Sequence, residues 1–385
     1  MKKIVLGAGR IGQTIARDLA TDSDVQVHVV DRDDDALSRL APIPNITVET
    51  ADLSDASSVR RRVAGFDQAI SVVPGHMGFE TLRKIIEAGV DAIDIAFFPE
   101  DPFALDAAAK RHGVTAIVDC GVAPGLSHLL VSRAMRRLED VERIRIEVGG
   151  LPVARHQPFE YASVFSPADV IEEYTRPAHI VRNGKPLTLP ALSEVEAVEV
   201  PGIGTLEAFL TDGLRTLTRT IDAPFMEEKT LRYPGHASLM RIFRDAGFFD
   251  TTPVHLSGGS VRPLDLSSRL LSRAWRLPDN GEDLTILRVA VQGTSPSGMR
   301  QVLYTMLDRY DPETQTTSMA RTTGYTATAA SRLLAATTNM GSGITPPERL
   351  GASPEHTVLM LEELRRHGVT IHESETVVSD PRERR

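Results

Sequence analysis

Short apolar runs and helical patterns alternate along the first 120 or so residues of the chain. The runs are rich in valine and isoleucine, and about ten residues with helical periodicity separate most of them. We predict strands at Ile4–Leu6, Val25–Val30, Ile46–Val48, Ala69–Val73, Ala92–Ile95 and Thr115–Val118. Strands that alternate with helices are typical of a parallel sheet with crossover helices, and six such strands complete a doubly wound α/β domain.

The pattern changes after Pro124 and Gly125. A helical stretch runs to about Leu138, and segments such as Ile144–Val148 and Thr285–Val291 then alternate apolar and polar residues. Alternation with a period of two is typical of an antiparallel sheet that has one covered face. We therefore predict a second, α+β domain with a largely antiparallel sheet.

Helical periodicity returns near the end of the chain, at Met319–Leu334 and Val358–His367. Because chain ends often pack back on an earlier domain, we expect these helices to return to the first domain. The predicted organisation is a first domain over residues 1–125, a substrate-binding and oligomerisation domain over 126–318, and returning helices over 319–385.

Composition and charge argue against several classes of protein. Hydrophobic residues make up 41% and charged residues 25% of the 385 residues, as in ordinary folded proteins. The formal charge is −9 with both signs interspersed, which argues against a nucleic-acid partner because phosphate backbones are bound by clustered Lys and Arg. No run approaches the roughly 20 apolar residues of a membrane span.

Cysteine and histidine usage bears on compartment and metal binding. Cys120 is the only cysteine, which rules out an intrachain disulfide and a cysteine-based metal cluster and favours a reducing compartment. The histidines also lack the spacing of metal ligands. We expect a cytoplasmic protein without a metal, and the sheet-rich second domain offers a surface for a homodimer or a larger assembly.

A glycine-rich motif follows the first predicted strand and opens the first predicted helix. Its sequence over residues 7–12 is Gly-Ala-Gly-Arg-Ile-Gly, and the strand-to-helix context makes the pattern specific for a dinucleotide. In a Rossmann domain the first glycine permits a tight turn, the second a close approach of the pyrophosphate, and the third close helix packing. The helix N-terminus then attracts the phosphates. The candidate cofactor contacts here are Gly7, Gly9, Arg10, Ile11 and Gly12.

The acidic residue that ends the second strand indicates which dinucleotide is bound. Asp31 lies 19 residues after Gly12, where a carboxylate accepts hydrogen bonds from ribose hydroxyls and repels a 2′-phosphate. NAD is therefore favoured over NADP. The neighbouring Arg32 keeps NADP open as the alternative, because a guanidinium can pair with a 2′-phosphate.

Two further positions are candidate cofactor contacts at the edge of the predicted sheet. Asp52, after the third strand, is placed either to contact adenine or, with Ser54 nearby, to cap a helix. The fourth strand ends at Val72, Val73 and Pro74, where the chain of such folds passes close to the cofactor.

A Gly-x-x-Pro-Gly segment follows the last predicted strand of the first half, within Asp-Cys-Gly-Val-Ala-Pro-Gly-Leu-Ser-His over residues 119–128. With the Rossmann half before it, this segment resembles the saccharopine dehydrogenase family, whose members carry a similar segment where the chain leaves the nucleotide domain. The resemblance implies that Gly121, Val122 and Ala123 lie against the nicotinamide. On the residues alone, the segment is a Pro-Gly turn that opens a helix.

Further motifs follow over the second half, at Gly150–Pro152, Phe165–Ser166, Glu173–Tyr174, Thr211–Leu217, Lys229–His236, Arg321–Ala327 and Pro347–Glu348. In their order and spacing they are similar to the lysine 6-dehydrogenase branch of the same family. This resemblance implies oxidation of the side-chain amine of lysine.

Oxidation of an amine by hydride transfer requires a base and a dry contact between carbon and nicotinamide. His236 is the first candidate for the base, because histidine titrates near neutral pH and a Pro-Gly turn precedes it; packing beside that turn is the alternative. Lys229 is the second candidate, provided that burial lowers its pKa. Asp94, near the end of the fifth strand, is placed to attract a substrate ammonium.

The substrate carboxylate requires a cationic clamp. Arg215 and Arg232 are the leading candidates because a guanidinium can bind both carboxylate oxygens, although Arg215 also follows an Asp-Gly turn and can be a hairpin residue. Tyr161, Tyr233 and Thr211 are candidate hydroxyl partners, and some of the tyrosines are expected in the core.

The sequence thus predicts NAD-dependent oxidative deamination of the L-lysine side chain to the 6-semialdehyde and its piperideine carboxylate, with release of ammonia. The substrate partner is a small amino acid. One alternative is saccharopine dehydrogenase or a related C–N oxidoreductase. The alternative from another class is an NAD-binding scaffold or sensor without turnover, since binding a cofactor does not require chemistry.

Overall fold

The computed structural model describes residues 1–163, 166–278, 281–337 and 340–378, and divides the chain into two compact units. The first unit comprises Met1–Arg133 and Met319–Thr370, and the second comprises Ala134–Ser318 and Ile371–Arg385. Each unit is therefore built from two separate stretches of the chain.

The strands are β1 (Lys2–Leu6), β2 (Gln26–Asp31), β3 (Ile46–Thr50), β4 (Gln68–Ser71), β5 (Asp91–Asp94), β6 (Thr115–Ile117), β7 (Val141–Pro152), β8 (Ala178–Arg182), β9 (Lys185–Leu189), β10 (Glu196–Val200), β11 (Gly204–Leu210), β12 (Phe225–Arg232), β13 (Val254–Leu256), β14 (Gly259–Val261), β15 (Asp283–Ser295), β16 (Gly298–Arg309), β17 (Gly343–Thr345) and β18 (His372–Val377).

The helices are α1 (Arg10–Leu19), α2 (Asp34–Ser38), α3 (Ala56–Val63), α4 (Gly75–Glu87), α5 (Asp106–His112), α6 (Leu126–Met135), α7 (Pro167–Thr175), α8 (Leu217–Thr220), α9 (His236–Asp245), α10 (Pro263–Ala274), α11 (Ser318–Ala336), α12 (Pro347–Ala352) and α13 (Pro354–Arg366). A 3-10 turn at Pro102–Leu105 leads into α5.

The first unit contains a seven-stranded sheet in the order β17-β6-β5-β4-β1-β2-β3. All neighbours pair in parallel. Ile4, Val5 and Leu6 are fully buried in succession, because a parallel sheet of this kind is covered on both faces. The predicted N-terminal Rossmann sheet is confirmed, with β17 as an additional strand.

The C-terminal helix α11 is part of the first unit. Lys3 of β1 donates from Nζ to the hydroxyl of Ser331 at 2.7 Å, and the guanidinium of Arg332 lies 2.8 Å from the carboxylate of Asp18 in α1. A Cβ added to Gly324 would lie 3.1 Å from Cγ2 of Thr14, so α11 packs closely on α1. The first unit is thus completed by residues that lie far along the sequence.

The limits of the two units differ from the predicted domain limits at two places. The first unit extends to Arg133 and includes most of α6, whereas the predicted limit is residue 125. The stretch from Ile371 belongs to the second unit, where β18 pairs antiparallel with β16 instead of continuing the returning helices. All six residues of β18 are exposed, so this edge strand has no apolar pattern by which it could be predicted.

The second unit contains a nine-stranded sheet, in which β10-β11-β12-β7-β15-β16-β18 follow in order and β8 and β9 are attached through β12. Only β7 and β12 pair in parallel among the described strands of this sheet. Side chains of α7, α9 and α10 pack on one face around Phe209 and Trp275. The predicted α+β domain with a largely antiparallel sheet is confirmed.

Across the described residues, every helix is too short or too polar to cross a lipid bilayer.

Candidate active site

The glycine loop between β1 and α1 has the shape that a dinucleotide requires. A Cβ added to Gly7 would lie 2.7 Å from the carbonyl oxygen of Val72, and one added to Gly12 would lie 2.0 Å from that of Gly7. Gly7 also has φ +115°, in the region that favours glycine. Both glycines are therefore required by the fold of the loop itself.

Gly9 differs from its two neighbours in the motif. A Cβ added there would meet no atom within 4 Å. Gly9 is the N-cap of α1, no side chain caps this helix end, and its first turn contains no acidic residue. Arg10 and Ile11 open the helix and are half-buried. The open space before a helix N-terminus fits the pyrophosphate of a dinucleotide.

Asp31 ends β2 beside this loop. Its Oδ2 accepts a hydrogen bond from the backbone N–H of Ala8 at 2.5 Å, and its Oδ1 accepts one from the N–H of Asp33 at 3.0 Å. The carboxylate is thus fixed at the edge of the glycine loop, where the adenosine ribose of a dinucleotide would lie. The neighbouring Arg32 is exposed.

Asp52 and the end of β4 complete the predicted cofactor residues of the first half. Asp52 accepts a hydrogen bond from the N–H of Ser54 at 2.9 Å, and the bonds from Ser54 lower the pKa of Asp52. Its carboxylate therefore has a local structural partner. Val72 follows β4 and contacts the glycine loop, and Val73 and Pro74 lead into α4.

The Gly-x-x-Pro-Gly segment forms a compact loop after β6. The N–H of Gly121 donates to the carbonyl of Pro124 at 3.1 Å, and the N–H of Leu126 donates to the carbonyl of Gly121 at 2.9 Å. Gly125 has φ +134°, and a Cβ there would lie 2.0 Å from the Gly121 oxygen. Val122 is buried and Ala123 is half-buried in this loop.

The loop adjoins the end of β5 and the second half of the first unit. The N–H of Cys120 donates to the carbonyl of Asp94 at 2.9 Å, and the Asp94 side chain is fully buried. His128 of α6 places Nδ1 3.4 Å from Oε2 of Glu348 in α12, and both side chains are buried. Glu348 belongs to one of the family-like motifs, but its contact with His128 was not predicted.

In the second unit, the candidate site residues of β12 lie on two different faces of the sheet. Successive side chains of a strand point to opposite faces, so Glu228, Thr230 and Arg232 share one face and Lys229 lies on the other. Lys229 donates from Nζ to the carbonyl of Glu194 at 2.7 Å and pairs with the carboxylate of Glu196. The structure therefore does not bring Lys229 together with Arg232.

Arg232 is buried and paired. Its guanidinium binds the carboxylate of Glu173 and lies 4.7 Å from the centroid of the Tyr161 ring. Burial opposes the charge, but Glu173 and the neighbouring Tyr174 and Tyr161 keep the pKa of Arg232 above its ordinary value. Burial also raises the pKa of Tyr161. Arg232 and Tyr161 are thus together, with an internal carboxylate already bound.

His236 opens α9 and has a partner at each ring nitrogen. Nε2 lies 2.9 Å from the hydroxyl of Tyr174, and Nδ1 lies 3.0 Å from the carbonyl of Phe159. Burial, with the nearby Arg232, lowers the pKa of His236 to about 3. The ring is therefore neutral and bonded at both nitrogens, an environment that favours the packing role over the proposed role of base.

Thr211 contacts the carboxylate of Glu228, a residue that the sequence analysis does not single out. The hydroxyl of Thr211 and the N–H of Gly213, the latter at 3.1 Å, both donate to Oε2 of Glu228. A Cβ on Gly213 would lie 2.4 Å from Cδ of Glu228, so only glycine permits this contact. Burial raises the pKa of Glu228 to about 8. The signal available in the sequence was the two-residue spacing from Glu228 through Thr230 to Arg232.

Arg215 and Tyr233, two further candidate residues, differ in burial and in contacts. Arg215 is half-buried and has φ +47°, a backbone conformation that costs a non-glycine residue energy. Tyr233 packs with the apolar cluster of Leu231 and Leu151, and its hydroxyl donates to the carbonyl of Pro152 at 3.0 Å. Tyr233 therefore lies apart from Arg232 on the sheet. Phe165 lies outside the described residues.

Two family models match the chain in succession. The model described as the saccharopine dehydrogenase NADP binding domain matches residues 4–117. The model described as the saccharopine dehydrogenase C-terminal domain matches residues 121–369, which is more than half of the chain.

Curated relatives carry related names at low identity. Alpha-aminoadipic semialdehyde synthase of Arabidopsis thaliana is 23% identical over 287 residues, which cover 64% of this chain and 27% of that protein. Saccharopine dehydrogenase (NADP(+), L-glutamate-forming) of Pyricularia oryzae is 26% identical over 262 residues, covering 64% of this chain and 57% of that protein. The chain thus matches about a quarter of the plant protein and just over half of the fungal one.

Solved structures share the fold over nearly the whole chain. Apo saccharopine dehydrogenase (L-Glu forming) of Saccharomyces cerevisiae has a TM-score of 0.79 and 18% identity, covering 98% of this chain and 100% of that one. Homospermidine synthase of Legionella pneumophila in complex with NAD has a TM-score of 0.69 and 12% identity, covering 98% and 92%. The predicted resemblance is confirmed: with the domain models of one family matched in order along it, the chain belongs to the saccharopine dehydrogenase family.

Proposed function

We propose that this chain is a dehydrogenase that oxidises the side-chain amine of L-lysine with NAD. The observation that carries the proposal is the balance of charges around Arg232 and Glu228 of β12 in the second unit. Arg232 is already paired with Glu173, whereas Glu228 on the same face is a further acidic group. Saccharopine has three carboxylates and lysine has one. A buried charge requires a partner, so this balance favours a substrate with one carboxylate and a distal amine.

The proposed reaction breaks a C–H bond at the carbon that carries the side-chain nitrogen. When bound, the nicotinamide supplies the hydride acceptor. A proton leaves the substrate nitrogen, water adds to the resulting iminium carbon, and ammonia is expelled. The 6-semialdehyde then closes on its own α-amine to a piperideine carboxylate. One hydride and one proton are thus lost from the substrate.

The protein residues have separate tasks in this proposal. In the first unit, the loop at Gly7–Gly12 and the carboxylate of Asp31 would hold the pyrophosphate and the ribose. In the second unit, Arg215 is proposed as the clamp for the substrate carboxylate, because a guanidinium can bind both carboxylate oxygens. Asp94, which is fully buried in the first unit, stays a candidate for attracting the substrate amine.

The choice between NAD and NADP rests on opposing observations. The position of Asp31 beside the glycine loop supports NAD, because a carboxylate there repels a 2′-phosphate. The matching domain model is described as NADP binding, and the fungal relative is named an NADP(+) enzyme. Arg32 is exposed and is the residue that would favour NADP. Titration of the purified protein with each reduced cofactor distinguishes the two.

Saccharopine dehydrogenase is the second candidate, because relatives and the fold neighbour of the chain carry that name. The test is product analysis after incubation with L-lysine or saccharopine and either cofactor. Cofactor reduction with lysine, one ammonia for each reduced cofactor and a piperideine product support the proposal. Release of glutamate from saccharopine, with lysine inert, overturns it in favour of the second candidate. Cofactor binding without turnover of any amine in the panel assigns a scaffold.

A further inference from the structure

Glu228 is an acidic group in the second unit that has no cationic partner among the described residues. Its side chain is buried in β12, with 2% of the residue exposed. Two neighbouring carboxylates of the same unit pair with arginines: the half-buried Glu173 with Arg232, and the buried Glu227 with Arg145 and Arg182. The groups that act electrostatically on Glu228 include Glu173 and Asp212, which repel its negative charge.

One oxygen of this carboxyl group is held and the other is open. Thr211 and Gly213 both donate to Oε2, and no described residue donates to Oε1. The hydroxyl of Thr230 lies 2.8 Å from that of Thr211, so two hydroxyl groups line the same stretch of the sheet as the carboxyl. A cation that arrived at Oε1 would meet one carboxylate oxygen and nearby hydroxyl acceptors.

A buried carboxylate without a counter-ion is costly, so it either keeps its proton or requires an external cation. Burial raises the pKa of Glu228 to about 8, which favours the protonated form while no cation is bound. Yet the carboxyl oxygen accepts two hydrogen bonds, which favour the ionised form. These two hydrogen bonds orient Oε2, and a cation at Oε1 would supply the positive charge that the ionised form lacks.

An ammonium group fits this place better than a metal ion. It carries hydrogen-bond donors and no acceptor, which matches a carboxylate and hydroxyl groups as acceptors. No group of three or more metal-ligating side chains occurs among the residues that the structure describes. Arg215 lies two residues beyond Gly213, whose N–H donates to Glu228, so the turn that contacts the carboxyl also contains a cationic residue.

We propose that Glu228, with Thr211 and Thr230, forms the subsite that binds an ammonium group of the substrate. This inference rests on the proposed action on an amino acid that carries an amine, and holds for lysine and for saccharopine. The carboxyl group ionises as the ammonium binds, and its proton passes to solvent. Glu228 is then the group that favours a cationic substrate over a neutral analogue of the same length.

The experiment compares ligand binding to the wild type, to Glu228→Gln and to Glu227→Gln by calorimetry, with the reduced cofactor present so that no amine is oxidised. Glu227 is the matched control, because it is equally buried on the neighbouring position of β12 but its carboxylate pairs with Arg145 and Arg182 on the other face. The ligands are L-lysine, saccharopine, 6-aminohexanoate and L-norleucine. The last two each lack one of the ammonium groups of lysine, so they show which group binds at Glu228.

We expect Glu228→Gln to weaken binding of the preferred ligand about tenfold or more, because a charged hydrogen bond is lost. Glu227→Gln should leave that affinity within about twofold. Calorimetry in buffers of different ionisation enthalpy should show proton release on binding to the wild type and less release for Glu228→Gln. Unchanged affinity and unchanged proton release in Glu228→Gln overturn the inference. The inference is also overturned if sodium or potassium ions bind to the wild type as tightly as the ammonium ligands do. A wild type that binds no ammonium ligand overturns it as well.

A second variant pair guards against misfolding of Glu228→Gln. Thr211→Val removes the hydroxyl that holds Oε2, and Thr211→Ser restores it. Weaker ligand binding in the valine variant with recovery in the serine variant supports the subsite, and equal binding in both contradicts it. If lysine is not oxidised but saccharopine binding still depends on Glu228, the proposed function is wrong and the subsite stands. If lysine is oxidised but its binding does not depend on Glu228, the subsite is wrong and the proposed function stands.

Discussion

Asp31 and Glu228 are the two carboxylates to which ligand binding is assigned, and their surroundings differ. Asp31 is half-buried and accepts backbone N–H groups with both oxygens, so the structure fixes its orientation and leaves its charge unpaired by any described cation. Glu228 is buried, and desolvation is the largest influence on its pKa. Substitution of Asp31 therefore tests ligand recognition, and substitution of Glu228 also tests the electrostatics of the fold.

Asp31→Asn should reduce the preference for NAD over NADP. The amide oxygen can still accept the N–H of Ala8, but the negative charge that repels a 2′-phosphate is lost. We expect NAD to bind about tenfold more weakly, because a charged hydrogen bond to the ribose is replaced by a neutral one. Fluorescence titration with both reduced cofactors measures this ratio. Asp55→Asn, which alters an exposed N-cap of α3, is the control and should leave the ratio unchanged. A wild type that already prefers NADP contradicts the assignment.

The raised pKa of Glu228 predicts how stability depends on pH. The ordinary glutamate value is 4.5, and burial raises the pKa of Glu228 in the folded protein to about 8. Between these values the folded protein keeps a proton that the unfolded chain has lost, so the free energy of unfolding falls as pH rises. Urea unfolding of the wild type should therefore lose stability relative to Glu228→Gln across this range, by up to about 1.4 kcal/mol per pH unit. Parallel stability curves for the two proteins would show that the carboxyl is already ionised.

His236 is expected to act on structure and not on the pH profile. Its two ring nitrogens are bonded to Tyr174 and Phe159, and its pKa is lowered to about 3. His236→Asn should therefore destabilise the second unit by roughly 1–3 kcal/mol, since a buried partner is left unsatisfied. The pH dependence of kcat should match that of the wild type, and any near-neutral limb in it should remain. Its disappearance in a variant that remains folded would return His236 to the role of base.

At the scale of elements, the glycine motif and the strand β12 show what sequence patterns can and cannot predict. The order strand, Gly-x-Gly-x-x-G, helix is contained in one short continuous stretch of the chain, so the sequence predicts it. Successive side chains of β12 point to opposite faces of the sheet, which the sequence predicts. Which of the two faces is covered by helices depends on the packing of α7 and α9. Lys229 and Arg232 were therefore placed in one site by sequence reasoning, and the structure separates them.

Gly9→Ala and Gly12→Ala should separate ligand binding from folding within one motif. Gly9 has ordinary backbone angles and open space at its Cβ, so alanine should leave the melting temperature nearly unchanged and weaken cofactor binding. At Gly12, a Cβ would lie 2.0 Å from the Gly7 oxygen, so alanine should also destabilise the fold, by roughly 1–3 kcal/mol. Thermal melting and cofactor titration of both variants give the comparison. Equal melting temperatures for the two variants would contradict the packing argument.

Neither β17 nor β18 has an apolar pattern, and the sequence analysis predicts neither strand. β17 has three residues, Gly343–Thr345, too few to show periodicity, and it is held by parallel pairing with β6. β18 is an exposed edge strand whose pairing with β16 joins residues about 70 positions apart. Such elements are determined by long-range hydrogen bonds, whereas the first six strands of the parallel sheet carry their own apolar signal.

At the scale of the whole molecule, the chain order and the units do not coincide. The first unit is completed by Met319–Thr370, which contributes α11, β17, α12 and α13. The contacts that join the two stretches are buried and polar as well as apolar: Lys3 donates to Ser331, Arg332 binds Asp18, and Ile344 packs in the core of the sheet. The first 133 residues therefore have the glycine motif but not all of the partners that their fold requires.

The last prediction follows from that division. Residues 1–133 alone should be unfolded or only partly structured, because Lys3 and Asp18 would lose their partners and β6 would become an open edge. A chain in which a long Gly/Ser linker joins Arg133 to Met319 and which ends at Thr370 should melt cooperatively and bind the cofactor, since it holds every stretch of the first unit. Circular dichroism melting and cofactor titration compare the two chains. The linked chain with Lys3→Met is the control for the buried contact, and it should melt at a lower temperature. If residues 1–133 alone melt as cooperatively as the linked chain, the C-terminal stretch is an addition to a complete domain and not a part of its core.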